Sequence, residues 1–284
     1  MRVLFFGVRG SCPCAGEPYR RVGGNTSCLL VDVEGEPPVL LDLGTGLREL
    51  GDALATRLQR DGGALRSTAL LTHLHFDHIL GLPYFAPLRD PAAALVVYGP
   101  APHGAALGDA LADVVRPPFF PVGLAAIGGH VDLREVGDAT VRIGPVTVTS
   151  RAVPHPGATL GFRVEAGGRS VAYIPDHQAP ADRATVPDAV AELCDGADLV
   201  VHDAQYTDEE LDAKPAWGHS TAGYAVHVAA EAGAHRLLLF HHDPARTDGG
   251  VGTEVELARR LPDAKRLDDV SAATEGLTVD LPAS

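Results

Sequence analysis

Short apolar runs that end abruptly in histidine or aspartate are the feature of this sequence that most constrains its fold. Ala69-Leu70-Leu71 leads into Thr72-His73, and the apolar residues 237–240 lead into His241. Runs without polar alternation indicate strands that are buried on both faces, in a sheet covered by helices. The chain is therefore predicted to be an α/β protein in which polar side chains gather where strands end.

Glycine and proline, with 32 and 22 residues, punctuate the chain and predict many short elements joined by tight turns. We expect strands at residues 3–6, 28–33, 39–42, 69–72, 95–98, 131–136, 146–153, 161–165, 170–174, 199–202 and 236–240. We expect helices at residues 45–60, 187–194, 221–232 and 251–261. Because no repeat or linker interrupts this pattern, residues 1–284 are predicted to form a single domain.

The segment 99–129 is the longest stretch to which we assign neither a helix nor a strand, and it is rich in glycine, proline and aromatic residues. A segment of this length is typical of a lid over a site or of an arm at an interface. An ordinary surface excursion is equally compatible with its composition. The oligomeric state stays open, and a homodimer is one of the possibilities.

Charge and composition limit the partners of the chain. The 23 basic and 37 acidic residues give a net charge of −14, which disfavours non-specific binding to a nucleic acid. A small anionic substrate remains compatible, because a pair of divalent cations can reverse the field inside a pocket. We see no signal peptide and no apolar run near the roughly 18 residues of a membrane span. We therefore expect a cytoplasmic protein that does not associate with membranes.

The four cysteines do not indicate a metal site. Cys12 and Cys14 form a single Cys-x-Cys pair without a partner pair, which is a weak metal-binding pattern. We interpret both as ordinary loop thiols, and Cys28 and Cys194 as small buried side chains.

The segment Thr72-His73-Leu74-His75-Phe76-Asp77-His78 carries four metal-ligand side chains within six positions. In an extended segment, residues two apart point the same way, so His73 and His75 can bind one ion together. Asp77 and His78 follow where the strand gives way to a helix and can turn toward a second ion. The nitrogen and oxygen ligands suit zinc, while manganese or iron would also be tolerated.

Three further residues follow predicted strands in an equivalent way. His155 stands between two prolines, Asp176 ends a strand through Pro175, and His241 ends the last apolar strand. Each is ambiguous alone, but open α/β sheets place their chemistry at the carboxyl ends of strands. The recurrence predicts that all three join the four motif residues in one dinuclear metal site.

This order of motifs resembles the metallo-β-lactamase superfamily. The resemblance implies a four-layer αββα sandwich with two mixed β-sheets and the metal ions at one edge of both sheets. It also implies a ligand set for each ion. The first ion would be held by His73, His75 and His155, the second by Asp77, His78 and His241, and Asp176 would bridge them.

Two other segments narrow the resemblance to the ribonuclease Z-like phosphodiesterases. They are Trp217-Gly218-His219-Ser220-Thr221 and Leu239-Phe240-His241-His242-Asp243-Pro244. Val201-His202-Asp203-Ala204 is similar to that group's His-Glu-Ala segment, with aspartate in place of glutamate. The resemblance implies that His219 assists cleavage and that Asp203 orients it. Taken alone, the His219 motif is equally compatible with a helix cap beside a solvent-facing histidine.

These observations predict a metal-dependent hydrolase, most specifically a phosphodiesterase acting on a small or cyclic phosphodiester. Two ions about 3.5–4 Å apart would lower the pKa of a shared water toward neutrality, so that a metal-bridging hydroxide attacks phosphorus. Asp77 would orient this hydroxide, and His219 would donate a proton to the leaving group or neutralise the phosphoryl oxygen.

Other functions remain open. A ribonuclease Z-like endonuclease acting on tRNA 3′ ends is the nearest alternative, but residues 155–176 leave room for two strands and a Gly167-Gly168 turn rather than a tRNA-binding arm. The net charge also disfavours it. Hydrolysis of a thioester, a lactone or a β-lactam is a more distant alternative. A non-catalytic member of the fold is disfavoured because none of the seven ligand residues is missing.

Overall fold

The apolar runs form the central strands of two seven-stranded β-sheets in a computed structural model of the chain, which describes residues 1–282. The first sheet contains β1 (Arg2–Gly7), β2 (Cys28–Asp32), β3 (Val39–Leu41), β4 (Arg66–Leu70), β5 (Ala94–Gly99), β6 (His130–Glu135) and β14 (Thr278–Asp280). The second contains β7 (Ala139–Ile143), β8 (Val146–Ala152), β9 (Leu160–Ala166), β10 (Arg169–Ile174), β11 (Leu199–Asp203), β12 (Arg236–Phe240) and β13 (Asp269–Ala272).

Helices connect the strands. They are α1 (Leu47–Asp61), α2 (Phe76–Ile79), α3 (Leu107–Val114), α4 (Asp188–Cys194), α5 (Asp208–Ala213), α6 (Ala222–Glu231) and α7 (Asp248–Arg259). Short 3-10 helices lie at Glu17–Tyr19, Leu82–Tyr84, Ala86–Arg89, Leu124–Ala126 and Asp263–Arg266. Among the described residues, no helix is both long enough and apolar enough to cross a membrane.

Both sheets are mixed, as the family resemblance implies. The first has the order β14-β1-β2-β3-β4-β5-β6, with antiparallel pairs up to β3 and parallel pairs from β3 to β6. The second has the order β13-β12-β11-β10-β9-β8-β7, parallel from β13 to β10 and antiparallel from β10 to β7. The carboxyl ends of β3, β4, β10, β11 and β12 are followed directly by the residues of the candidate site.

Three apolar cores separate four layers. One core lies between the two sheets, a second lies between the first sheet and α1 and α3, and the third lies between the second sheet and α4 and α6. Strand β12 shows why the apolar runs lack polar alternation: Leu238 and Phe240 enter the core between the sheets, while Leu237 and Leu239 enter the core under the helices. The predicted four-layer αββα sandwich is therefore confirmed.

Several predicted boundaries need correction. Strand β4 covers residues 66–70 rather than 69–72, because the chain turns into the ligand segment immediately after Leu71. Strands β7, β13 and β14 were not predicted. β7 and β13 are edge strands of the second sheet and β14 of the first, and their side chains are largely half-buried or exposed, so they lack the apolar signal.

The segment 99–129 is not a plain loop, because it contains α3. Leu107 and Leu111 of this helix are buried against the first sheet. Whether the segment also acts as a lid or an interface stays a prediction, as does the single domain over 1–284.

Candidate active site

The ligand segment leaves β4 in an extended conformation and then turns into α2. His75 precedes the helix with φ −63° and ψ 151°, and Asp77 and His78 lie in the first turn of the helix. The change from extended chain to helix directs these side chains to two neighbouring groups of ligand atoms, as the motif spacing predicts.

The first group consists of His73, His75 and His155, which follow β4 and β8. Their three ligand nitrogens lie within 4.8 Å of one another. The shortest separation, 3.3 Å, joins His155 Nε2 to His75 Nδ1. This is the trio that the sequence resemblance assigns to the first ion.

The second group consists of Asp77, His78 and His241, the last of which follows β12. His78 Nε2 lies 3.3 Å from His241 Nε2 and 3.3 Å from Asp77 Oδ2. His241 Nε2 lies 3.1 Å from the same carboxylate oxygen. Three ligand atoms thus converge on one point, and this trio matches the expected set for the second ion.

Asp176, which follows β10, lies between the two groups. Its Oδ1 is 4.0 Å from His73 Nε2 and 3.8 Å from His155 Nε2. Its Oδ2 is 3.0 Å from His78 Nε2 and 3.4 Å from His241 Nε2. One carboxylate therefore presents one oxygen to each group, which is the arrangement that a bridging ligand requires.

The donor atoms fit divalent metal ions. Two nitrogens that each lie 2.0–2.1 Å from one tetrahedral zinc ion are themselves about 3.3 Å apart. That is the separation between the imidazole nitrogens of His78 and His241. In addition, the buried Nε2 of His73 has no hydrogen-bond partner in the protein. A buried polar atom without a partner is costly, so an ion at this place would satisfy it.

The other ring nitrogens of four histidines are engaged outside the two groups. The pairs are His73 Nδ1 with Thr72 Oγ1 at 3.0 Å, His78 Nδ1 with Asp42 Oδ2 at 2.7 Å, His155 Nδ1 with the Gly218 carbonyl at 2.7 Å, and His241 Nδ1 with Gln205 Oε1 at 2.8 Å. Such partners fix the ring orientation and the tautomer, so that Nε2 faces inward with its lone pair.

Asp42 is a supporting residue that the sequence analysis did not identify. It is fully buried at the end of β3, and it accepts hydrogen bonds from Tyr173 Oη and the Thr72 backbone N–H as well as from His78. Like Asp176, it is an acidic residue that follows an apolar strand. Its strand-end position was the signal that could have revealed it.

The predicted pair of His219 and Asp203 is also present. Asp203 ends β11, and His219 precedes α6, whose N-cap is Thr221. His219 Nδ1 lies 3.0 Å from Asp203 Oδ2, so the shorter aspartate side chain reaches the imidazole. Asp203 is itself fixed by the backbone N–H groups of His177 and Gln205. His219 is thereby held at the edge of the metal groups, 3.7 Å from Asp176 Oδ1.

Comparison with known proteins places this arrangement in a family. The sequence profile of the beta-lactamase superfamily domain matches residues 38–242, which contain every candidate ligand. The chain belongs to the β-lactamase superfamily. A ribonuclease Z of Natronomonas pharaonis is 29% identical over 85% of this chain and 86% of its own length.

Solved structures share the fold at lower identity. The metallo-β-lactamase-fold protein YhfI from Bacillus subtilis has a TM-score of 0.71 and 21% identity, with 98% of each chain covered. A diphosphatase from the PhnP family has a TM-score of 0.66 and 21% identity, covering 99% of this chain and 98% of its own. At these identities the likeness bears on the fold alone. Family membership and the histidine and aspartate groups together identify a metal-dependent hydrolase.

Three of the proposed ligands have pKa shifts that favour metal binding, whereas the pKa of His78 is raised because the charges of Asp77 and Asp42 outweigh the effect of burial. Burial lowers the pKa of His73 and of His155, so both imidazoles are neutral near pH 7. Burial alone would raise the pKa of Asp176, but the surrounding histidines hold it well below its usual range. The bridging position therefore carries a negative charge, which suits two cations.

His219 differs from His73, His75 and His155 in the direction of its pKa shift. Burial lowers its pKa, but the charge of Asp203 and the hydrogen bond to it outweigh this effect and raise the pKa above its ordinary value. Bound cations would lower the pKa of His219. A histidine held by a carboxylate at this place can act as a proton donor toward the site.

Backbone strain is concentrated at the site. In residues 1–282, four residues other than glycine have a positive φ, and three of them are Ser11, Asp42 and His241. The backbone N–H of Ser11 donates to Asp77 Oδ2 at 2.7 Å, and Asp42 and His241 have the contacts given above. Such conformations persist where the surrounding structure enforces them, which is common at functional sites.

The cysteines take no part in these groups. Cys12 is exposed, and Cys14 Sγ lies 3.2 Å from the Pro244 carbonyl. No cysteine belongs to the candidate metal-binding groups found within residues 1–282. Cys28 and Cys194 are buried, as expected.

Proposed function

We propose that the chain is a dinuclear metal-dependent phosphodiesterase that acts on a small or cyclic phosphodiester. The observation that carries this proposal is the placement of Asp176 between two ligand groups, with the His219–Asp203 pair 3.7 Å away. Two sites for cations suit a phosphoryl group, whose transition state carries negative charge on several oxygens. A neighbouring proton donor suits an alkoxide leaving group.

The proposed ligands are divided between the two ions. His73, His75 and His155 would hold the first, Asp77, His78 and His241 the second, and Asp176 would contact both. When bound, the ions supply a nucleophilic water of lowered pKa and polarise the phosphoryl oxygens. Zinc is the metal we propose, because all ligand atoms are imidazole nitrogens or carboxylate oxygens, although manganese and iron suit the same set.

The residues of the chain would share the remaining work. Asp77 Oδ2 accepts a hydrogen bond from the Ser11 backbone N–H, which fixes the carboxylate where it can orient a water molecule. His219 donates Nδ1–H to Asp203 and is one of the residues that line the cavity of about 380 Å³ over the site. In the proposal, His219 protonates the leaving oxygen, and Asp203 stabilises the imidazolium.

Hydrolysis of bis(p-nitrophenyl) phosphate tests the proposal. We expect turnover by the zinc-loaded protein, and a loss of about 10²–10⁴-fold in His219→Ala with the metal content unchanged. Asp77→Ala should lose both turnover and the second ion. The matched control is His235→Ala, which removes an exposed histidine paired with Asp268 outside the site. No turnover from protein that holds two ions would refute the phosphodiesterase.

Ribonuclease Z activity is the second candidate, and the relative from Natronomonas pharaonis favours it. Two observations favour a smaller substrate. Between His155 and Asp176 the chain forms only the hairpin of β9 and β10, so no arm projects from that interval. The net charge of −14 is also unfavourable for binding a folded RNA.

A direct comparison of substrates separates the two candidates. The zinc-loaded protein would be assayed on a precursor tRNA with a 3′ trailer and on cyclic nucleotides at equal ionic strength. Cleavage of the precursor at its 3′ end, without turnover of the cyclic nucleotides, would establish the endonuclease. If neither the precursor tRNA nor the cyclic nucleotides are cleaved while a thioester or a lactone is hydrolysed, the chain is a thioester or lactone hydrolase instead.

A further inference from the structure

Phe76 is an exposed aromatic residue inside the ligand segment. Its neighbours His75 and Asp77 face the metal groups, whereas 62% of the Phe76 side chain is exposed. A large apolar side chain at this position is unfavourable in water and has no role in holding an ion. Tyr84 and Phe119, which line the same groove, are 55% and 75% exposed, and an exposed apolar patch of this kind marks a binding site.

Phe76 borders two cavities at once. One is the polar cavity over the candidate metal groups, and the other is an adjoining groove of about 340 Å³. The groove begins at α2 and is closed on its far side by α3 and by the turn that carries Phe119 and Phe120. A ligand that reaches the metal groups can therefore extend past Phe76 into the groove without leaving the surface.

The groove is apolar and rich in aromatic rings. Phe76, Tyr84, Phe119 and Phe120 line it, and Tyr84 packs edge-to-face against Phe120 with ring centroids 5.8 Å apart. Of the described residues that line it, Asp113 alone carries a charge, and this carboxylate is paired with Arg116. Its volume is within the range of small-molecule sites, and aromatic walls suit flat rings that stack.

We infer that this groove binds the nucleobase of a nucleotide substrate whose phosphodiester lies over the metal groups. The inference rests on the proposed function and names its substrate class. The two cavities together match such a molecule: an anionic phosphate meets cations and His219, while a planar ring meets Phe76 and the aromatic groove. Residues 111–120, within the segment 99–129, then form a wall of the substrate site.

Equilibrium binding tests the groove without requiring turnover. The zinc-loaded full chain would be titrated with AMP and with ribose 5-phosphate, which share the phosphate and sugar but differ in the base. Neither is a phosphodiester, so binding is measured apart from the proposed reaction. We expect AMP to bind between about 5-fold and about 150-fold more tightly, the range that one base stacked on aromatic side chains gives.

Two variants and one control locate the preference. Phe120→Ala removes a groove wall, and Val114→Trp fills the groove from α3; neither residue belongs to the ligand segment. Both should bring the ratio of the two dissociation constants close to one with the metal content unchanged. Leu257→Ala is the matched control, because Leu257 is an apolar side chain of α7 that is 54% exposed away from the groove. It should keep the wild-type ratio.

The outcomes separate the inference from the proposed function. Equal binding of AMP and ribose 5-phosphate, or a preference that survives both groove variants, overturns the base site even if bis(p-nitrophenyl) phosphate is hydrolysed. A preference for AMP that the variants abolish supports the base site even if phosphodiester turnover fails. If Val114→Trp instead dissociates a dimer and leaves the preference unchanged, the groove is an interface between copies, and the inference is wrong.

Discussion

Gly218 is the position where the smallest change should cause the largest loss at the site. It has φ +90°, and its carbonyl accepts the hydrogen bond from His155 Nδ1. A methyl group at Gly218 would lie 2.4 Å from His155 Nδ1, whereas ordinary contact begins near 3.4 Å. The imidazole would therefore have to move by about 1 Å, and a displacement of that size can cost about 10²-fold in rate.

Gly218→Ala also strains the backbone, and a matched variant separates the two effects. Gly63 has φ +96°, but a methyl group there would meet nothing within 4 Å. Both alanines should lower the free energy of unfolding by roughly 1–2 kcal/mol through the unfavourable φ. Only Gly218→Ala should also displace His155 and break its hydrogen bond to the carbonyl of residue 218, which lowers metal affinity by about 10–100-fold.

The measurements are urea unfolding, metal content after dialysis against a weak chelator, and turnover of bis(p-nitrophenyl) phosphate. We expect Gly63→Ala to retain both ions and full turnover, and Gly218→Ala to lose the first ion and about 99% of the turnover. Two retained ions and wild-type turnover in Gly218→Ala would refute the assignment of His155 as a ligand held by this carbonyl.

Two other residues give independent predictions. Asp42→Asn keeps the shape of the side chain but removes the charge of the carboxylate that accepts the hydrogen bond from His78 Nδ1–H. Metal affinity, measured by chelator titration, should therefore fall by about 10–100-fold. Unchanged affinity would contradict the role of Asp42 in orienting His78. Asp263→Asn tests a surface pair: His227 contacts acceptors through both ring nitrogens, Asp263 at 3.0 Å and the Ala184 carbonyl at 2.9 Å, which requires the imidazolium. The hydrogen bond to Asp263 raises the pKa of His227. The pair should therefore contribute up to about 1 kcal/mol to the free energy of unfolding. This contribution should be complete below about pH 6.5 and disappear as pH rises through the raised pKa of His227. Urea unfolding of the wild-type protein and of Asp263→Asn from pH 5 to pH 9 measures this contribution. A difference in the free energy of unfolding that does not change with pH would contradict the assignment of a charged His227 in this pair.

The sequence predicts the central part of the fold well because burial leaves a simple pattern there. The residues of β12 were predicted to the exact bounds, since an apolar run covered on both faces has no competing interpretation. The edge strands β7, β13 and β14 were missed because half-exposed strands carry mixed side chains. The helix α3 was missed because glycine and proline on both sides of it dominate the composition of the segment 99–129.

The sequence predicts those residues of the candidate site that are both close in sequence and chemically distinctive. The motif from His73 to His78 is of that kind, and the structure brings its residues together with His155, Asp176 and His241. Supporting contacts such as Gln205 with His241 join residues 36 positions apart, through an amide that has no distinctive pattern. Only the packing of strand ends reveals such contacts, and the same is true of the groove beside Phe76.

The number of metal ions bound per chain tests the central claim most directly. The purified protein would be loaded with zinc, freed of excess ion and analysed by elemental mass spectrometry, beside His155→Ala and His241→Ala. We expect two ions in the wild-type protein and a single ion in each variant, because each variant removes a ligand from one group only. A wild-type protein that binds one ion, or none, would contradict the dinuclear site on which the proposed function depends.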